Sequence, residues 1–151
     1  MARCHQLIEC PPRTVWDLLA DGYRYAEWVS GAQRITYVEP EWPRAGAHLR
    51  VRVGAGPVSL EDTCTVRISE PVRRLELEAQ ASPFGAARIA IRLIPWGADT
   101  LVVFDWHPLR GLGGRMHGLP IEWAVNLRNR AMLVKLARAA EAGTARPAGP
   151  S

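Results

Sequence analysis

Cysteine is scarce and badly spaced for chemistry. Cys4, Cys10 and Cys64 are the only three, with no CxxC pair among them. An odd count at such spacings argues against a disulfide framework and against a zinc site. Three reduced thiols and a cytoplasmic location are the corresponding expectation. Lysine is nearly missing: of 19 basic residues only Lys135 is Lys, and the rest are Arg. No apolar run reaches the ~18 residues of a membrane-spanning helix. MARCHQLIECPPR lacks the apolar region of a secretory leader, so none is expected. No repeat recurs at a fixed period. The four histidines (His5, His48, His107 and His117) pair with no other ligand at metal spacing on one element. Neither a metal nor a cofactor is therefore expected. Gly111-Leu-Gly113-Gly114 opens no strand–helix junction, which excludes a nucleotide-binding loop and leaves a flexible entrance loop.

What remains is ordinary globular material. The 151 residues are 48% hydrophobic and 23% charged, with a net charge of +4. That suits one domain, 1–142, followed by a tail, 143–151 (GTARPAGPS), too small and polar to bury anything.

Alternation dominates the middle of the chain. After a short strand from Arg3 to Glu9, Pro11-Pro12 stops extension and opens a helix, PRTVWDLLAD, with Val15, Trp16, Leu18 and Leu19 on its apolar side. A second short helix covers Tyr23 to Val29 and is broken by Ser30-Gly31. Six strands follow: Ala32–Val38, Ala47–Val53, Val58–Ser69, Arg73–Ala81, Ala87–Ile94 and Thr100–His107. Turn residues separate them, at Gly54–Pro57, Glu70-Pro71, Ser82-Pro83 and Trp96–Asp99. The period of two predicts an inward face made of Leu49, Val51 and Val53; Leu60, Asp62, Cys64, Val66 and Ile68; Leu75, Leu77, Ala79 and Ala81; Ile89, Ile91 and Leu93; and Val102, Phe104 and Trp106. Asp62 is the one acid among them. Burial there penalises its ionised form unless a donor meets it, and Asn126, Asn129 and Arg130 are the expected partners.

A final helix is predicted from Pro120 to Ala142, with Gly143 just past its end. At about 100° per residue, Ala124, Arg128, Ala131, Lys135 and Arg138 share the solvent arc. The opposite stripe is polar at its start (Glu122, Asn126, Asn129) and apolar later (Leu133, Leu136, Ala137, Ala140). Its buried amides need partners from the sheet, from water or from a ligand.

These segments resemble a known family. PPRTVWDLLAD is similar to the "aPpeVWdlLaD" opening of the START/Bet v 1-like (SRPBCC) superfamily, the group of bacterial polyketide cyclase/dehydratase and lipid-transport proteins. YAEWVSG resembles its "y..W..g" segment, WPRAGAHLRVRVGAGP its "wp.vGa....vG.gP" hairpin, and LRNRAMLVKLARAAE its "l..rN...L.rLa.l.E" closing helix. These are core, turn and packing positions and include no shared catalytic group. The resemblance implies an α+β helix-grip fold: a seven-stranded antiparallel sheet wrapped around the long C-terminal helix, with two short helices between strands 1 and 2. It also implies a cavity between sheet and helix. Its expected wall is Trp28, Val51, Leu60, Asp62, Cys64, Leu75, Leu77, Ile89, Ile91, Phe104, Trp106, Asn126, Asn129 and Leu133. An apolar lining with a few polar groups suits a small hydrophobic ligand such as a polyketide, lipid or aromatic metabolite.

Three functions stay open. A carrier or binding protein needs only the cavity. A polyketide cyclase, aromatase or dehydratase also needs an acid or base, for which Asp62, Glu122 and His107 are the candidates. A stress-related interaction module would instead show a large exposed apolar patch. The dispersed strand arginines Arg50, Arg52, Arg67, Arg74, Arg88 and Arg92 alternate with Glu61, Glu76 and Glu78. They read as a solvated, paired face rather than a nucleic-acid stripe. A monomer or homodimer is expected.

Overall fold

The computed structural model describes residues 2–29, 32–55, 57–80, 85–111 and 119–145. Strand β1 (Ala2–Ile8) leads into helix α1 (Pro12–Ala20), a 3-10 turn (Gly22–Arg24) and a one-turn helix α2 (Tyr25–Trp28). Six strands follow: β2 (Ala32–Val38), β3 (His48–Ala55), β4 (Val58–Glu70), β5 (Arg74–Gln80), β6 (Gly85–Trp96) and β7 (Asp99–Gly111). The long helix α3 (Leu119–Ala145) closes the chain. The strands form one antiparallel sheet in the order β1-β7-β6-β5-β4-β3-β2. Short turns make β2 to β7 a meander. The helical segment carries the chain from β1 at one edge to β2 at the other.

Local chemistry explains the boundaries. Pro12 opens α1, where its missing N–H costs nothing. Val15, Trp16, Leu18 and Leu19 are its buried side, as their spacing predicts. The segment expected to be one short helix is split in two. The Asp21 carboxylate accepts a hydrogen bond from the Tyr23 N–H at 3.1 Å, which starts the 3-10 turn before α2. At Gly22 the chain passes so close to β2 that a Cβ would sit 2.7 Å from Val38 Cγ1, so only glycine fits. The Trp42 indole donates to the Leu19 carbonyl at 3.3 Å, satisfying an acceptor near the end of α1.

The concave face of the sheet is the core. Leu49, Val51, Cys64, Val66, Leu75, Leu77, Ile91 and Val102 are all 0% exposed, and Phe104 is 1%. α3 packs on β1 and β7 and on α1 and α2. From Asn129 onward its faces separate as expected: Asn129, Met132, Leu133, Leu136, Ala137 and Ala140 are buried, while Arg130, Ala131, Val134, Lys135 and Arg138 are exposed. The helix continues to Ala145, three residues past the end expected from Gly143. On the convex face Arg67 pairs with Glu78 at 3.1 Å, and Arg74 and Arg88 both reach Glu76, at 3.5 and 3.1 Å.

One inward assignment is corrected. Val66 lies opposite Leu77, yet Ile68 lies opposite Glu76 and Ser69 opposite Leu75. Arg67 is therefore an extra residue in β4, a bulge that exchanges the two faces beyond it. Ile68 turns to the convex side beside Glu76. The expected breaks at Ser30-Gly31 and Ser82-Pro83, the inward position Ala81, the loop at 112–118 and the tail beyond 145 lie outside the described residues.

The bulge is testable by matched substitutions. Val66→Thr buries a hydroxyl in a dry site and should cost about 1–3 kcal/mol. Ile68→Thr, one bulge later on the convex side, should stay within about 0.5 kcal/mol in urea denaturation. Equal losses would place Ile68 in the core.

Candidate ligand-binding face

Register decides which side chains share the interior. In the β3–β4 ladder Leu49 lies opposite Cys64, Val51 opposite Asp62 and Val53 opposite Leu60. Asp62 is accordingly buried at 8% exposure, on the face its alternation predicts. Cys64 pairs onward with Ala79, Ala79 with Ala87, and Ile89 with Trp106.

Burial changes along this face. Toward the end where Leu49, Val66, Leu75, Ile91 and Phe104 lie, the face is fully dry. Toward the β3–β4 hairpin and the start of β6, the inward positions Val53, Leu60, Ala79, Ala87 and Trp106 are only half-buried. Of the expected wall, Leu75, Leu77, Ile89, Ile91, Phe104 and Leu133 thus form a packed floor, whereas Leu60 and Trp106 reach solvent. Val53, Ala79 and Ala87 belong with those two. The two-residue alternation put Val53 and Ala79 on this face, but it carries no information on depth, which depends on how the strand ends meet.

Polar groups gather near the boundary. The Tyr25 hydroxyl, delivered by α2, hydrogen-bonds the Cys64 thiol, and the Asp62 carboxylate stands close enough to act on that thiol by its charge. Burial pushes the Cys64 thiol up to about 12 from an ordinary 9.0. The Tyr25 hydrogen bond opposes this and the charge of Asp62 adds to it. A thiol held protonated in this way is no nucleophile at neutral pH. Trp28 stacks edge-on against Tyr25, with ring centroids 5.3 Å apart. Its indole Nε1 is buried with no hydrogen-bond partner among the described residues, and so are both amide atoms of Asn129, which is 0% exposed.

Two expectations about Asp62 and one about His107 are corrected. Asn129 bonds nothing among the described residues and Arg130 is exposed, so neither meets Asp62. Arg130 follows Asn129 by one residue, about 100° around the helix, which turns it to solvent. His107 lies opposite Arg88, whose ion pair with Glu76 is on the convex face. Strand parity therefore points His107 away from the interior, and it cannot act on anything bound there. Glu122 and Asn126 belong to α3, but their side chains lie outside the described residues. Among the described residues no three His, Cys, Asp or Glu side chains come together to hold a metal ion.

A concavity of about 480 Å³ opens on the outer surface between α1, the 3-10 turn and the end of β2. Asp17, Asp21, Tyr23, Glu39 and Trp42 line it. All three of its acids are already engaged: Asp17 lies 4.0 Å from Arg13 Nη1, Asp21 caps Tyr23, and Glu39 accepts from the His48 N–H at 2.9 Å and lies 2.7 Å from His48 Nδ1.

The comparisons agree with this geometry. The family model described as "Polyketide cyclase / dehydrase and lipid transport" matches residues 5–141. No curated protein matches the chain. Among solved structures, DynU16 of the dynemicin biosynthetic locus is 19% identical with a TM-score of 0.69 over 94% of this chain. The chain spans about half, 47%, of DynU16. CalU16 from Micromonospora echinospora is 16% identical with a TM-score of 0.64, over 95% of this chain and 78% of its own. Ara h 8.0201 is 8% identical with a TM-score of 0.70, over 93% and 97%. At such identities these likenesses speak for the fold alone.

The Cys64 thiol makes stability depend on pH in a defined direction. Its folded value lies above its unfolded one, so its contribution is complete below pH 9. As pH rises, the unfolded chain releases its proton first and binds fewer protons, and stability falls. Between pH 9 and 10.5 the loss should be about 1 kcal/mol per pH unit steeper than in Cys64→Ala. Parallel curves in urea melts would show that Cys64 ionises freely in the folded protein.

Proposed function

The chain belongs to the polyketide cyclase/dehydrase and lipid-transport family, and from that premise we propose that it binds a small hydrophobic molecule between the concave face of the sheet and α3. The observation that carries this reading is the change in burial along single strands. The same inward face is dry at Leu75, Leu77 and Ile91 and half-open at Val53, Leu60, Ala79 and Trp106. A solid core closes at both ends. Here one end of the face stays half-buried, with apolar side chains at that end and a few polar groups near it, the make-up expected of a small-molecule site.

A second reading keeps the same site and adds catalysis of the cyclase or dehydratase type. Asp62 favours it, being a carboxylate at 8% exposure between the open rim and the floor. With His107 on the convex face, Asp62 is the described acid–base candidate inside. The interaction-module reading gains nothing from the surface. The exposed large apolar residues among those described, Leu7, Tyr23, Tyr37, Trp96, Leu127 and Val134, are spread over β1, the 3-10 turn, β2, the end of β6 and α3. Scattered single residues of this kind need no partner. No described helix is long and apolar enough to cross a membrane.

Fluorescence titration with 1-anilinonaphthalene-8-sulfonate tests the site. The protein should bind the dye saturably with increased emission. Ala79→Trp, which fills the rim, should weaken binding about tenfold or more while circular dichroism stays native. Unchanged affinity in that variant would place the dye elsewhere.

A further inference from the structure

Asn129 sits on the inward stripe of α3, one turn before Met132 and Leu133, and is fully buried. Among the described residues its carbonyl and amino groups both lack partners, and the indole N–H of Trp28 lacks one as well. Buried polar atoms without partners are rare, because each forfeits its bonds to water and receives nothing back. Here three such atoms come from two residues on elements that pack against each other, α2 and α3. α2 also reaches across to the sheet, where Tyr25 bonds Cys64 next to Asp62. Both residues are thus buried where α2 and α3 pack together, Trp28 one turn from the Tyr25 that reaches the sheet.

Resting on the pocket reading above, we infer that Asn129 and Trp28 are a specificity-determining pair. They receive the innermost end of a ligand that carries a hydrogen-bond acceptor beside a donor. An asparagine amide offers one donor edge and one acceptor edge side by side. It pairs with a lactam or an enol–ketone edge, accepting from the ligand's N–H or O–H and donating to its carbonyl. The Trp28 N–H serves the carbonyl's second lone pair. A bare acyl chain would leave all three atoms as unsatisfied as they are now. Asn129 has no open space beside it at 0% exposure, so the ligand enters by displacing a neighbour. Met132, one turn along with an unbranched and adaptable side chain, is the one suited to move.

The probes are phenanthridin-6(5H)-one, with carbonyl and N–H on one edge, and its N-methyl derivative, with the same rings and carbonyl but no donor. Each is titrated against the bound dye on the full-length chain. The wild type should prefer the N–H form about tenfold. Asn129→Leu should bind both forms within about twofold of each other, and Trp28→Phe should weaken both about fivefold. Asn129→Leu should also raise the melting temperature of the free protein, because it replaces an unsatisfied amide with an apolar group of similar size. That rise is the result a structural asparagine would not give. Equal binding of the two probes by the wild type, a preference that survives Asn129→Leu, or a variant that unfolds would overturn the pair and leave the pocket standing. Failure of both probes to displace the dye would overturn the pocket, and the pair with it.

Discussion

The pairing of β3 with β4 sets Val51 opposite Asp62 and Leu49 opposite Cys64, and the interior depends on that register. A slip of one residue would send Asp62 and Cys64 to solvent and bring Glu61, Thr63 and Thr65 inside. Because the register holds, one carboxylate and one thiol lie within an otherwise apolar face, and α2 comes down over them with a tyrosine hydroxyl. The bulge at Arg67 limits how far this face continues along β4. Before it the strand gives Asp62, Cys64 and Val66 to the interior; beyond it Ile68 faces out.

Two demands then compete in one small core. Stability asks for dry, close packing, and the end of the sheet with Leu75, Ile91 and Phe104 meets that demand. Recognition asks for polar atoms that are satisfied only when a ligand is present, the role proposed for Trp28 and Asn129, whose unsatisfied groups cost about 1–3 kcal/mol each. The chain separates the two along the length of α3. Leu133, Leu136, Ala137 and Ala140 seal the C-terminal half against the sheet and the short helices. The polar residue of the inward stripe that the structure describes lies before them.

Much of this was legible in the sequence because it obeys a single period. Alternation placed Leu49, Val51, Asp62, Cys64, Leu75, Leu77, Ile89 and Phe104 on one face, and the helical period placed Asn129, Leu133 and Leu136 inward. Paired prolines and Asp-Gly marked the ends of α1. What escaped depends on relations between segments. The bulge at Arg67 appears only when β4 is laid against β5, so Ile68 was turned the wrong way. The same alternation that turns Trp106 inward turns His107 outward, onto the face of Arg88 and Glu76. The depth of Val53 and Ala79 is set by where neighbouring strands end. That no described group answers the Asn129 amide is a fact about the space around it. Composition and periodicity carry no trace of that space.

On the proposed reading, small apolar molecules enter at the half-buried end of the concave face and reach the polar groups behind it. The most direct measurement is a proton–nitrogen correlation spectrum of uniformly labelled protein, recorded while 1-anilinonaphthalene-8-sulfonate is added. Shifts are expected at the backbone amides of Val53, Leu60, Ala79 and Trp106, and at the indole N–H of Trp28 and the side-chain amide of Asn129. The amides of Arg67, Glu76 and Arg92 should stay still. Shifts confined to the convex strand positions, or to the concavity around Tyr23 and Trp42, with Trp28 and Asn129 unmoved, would contradict the claim.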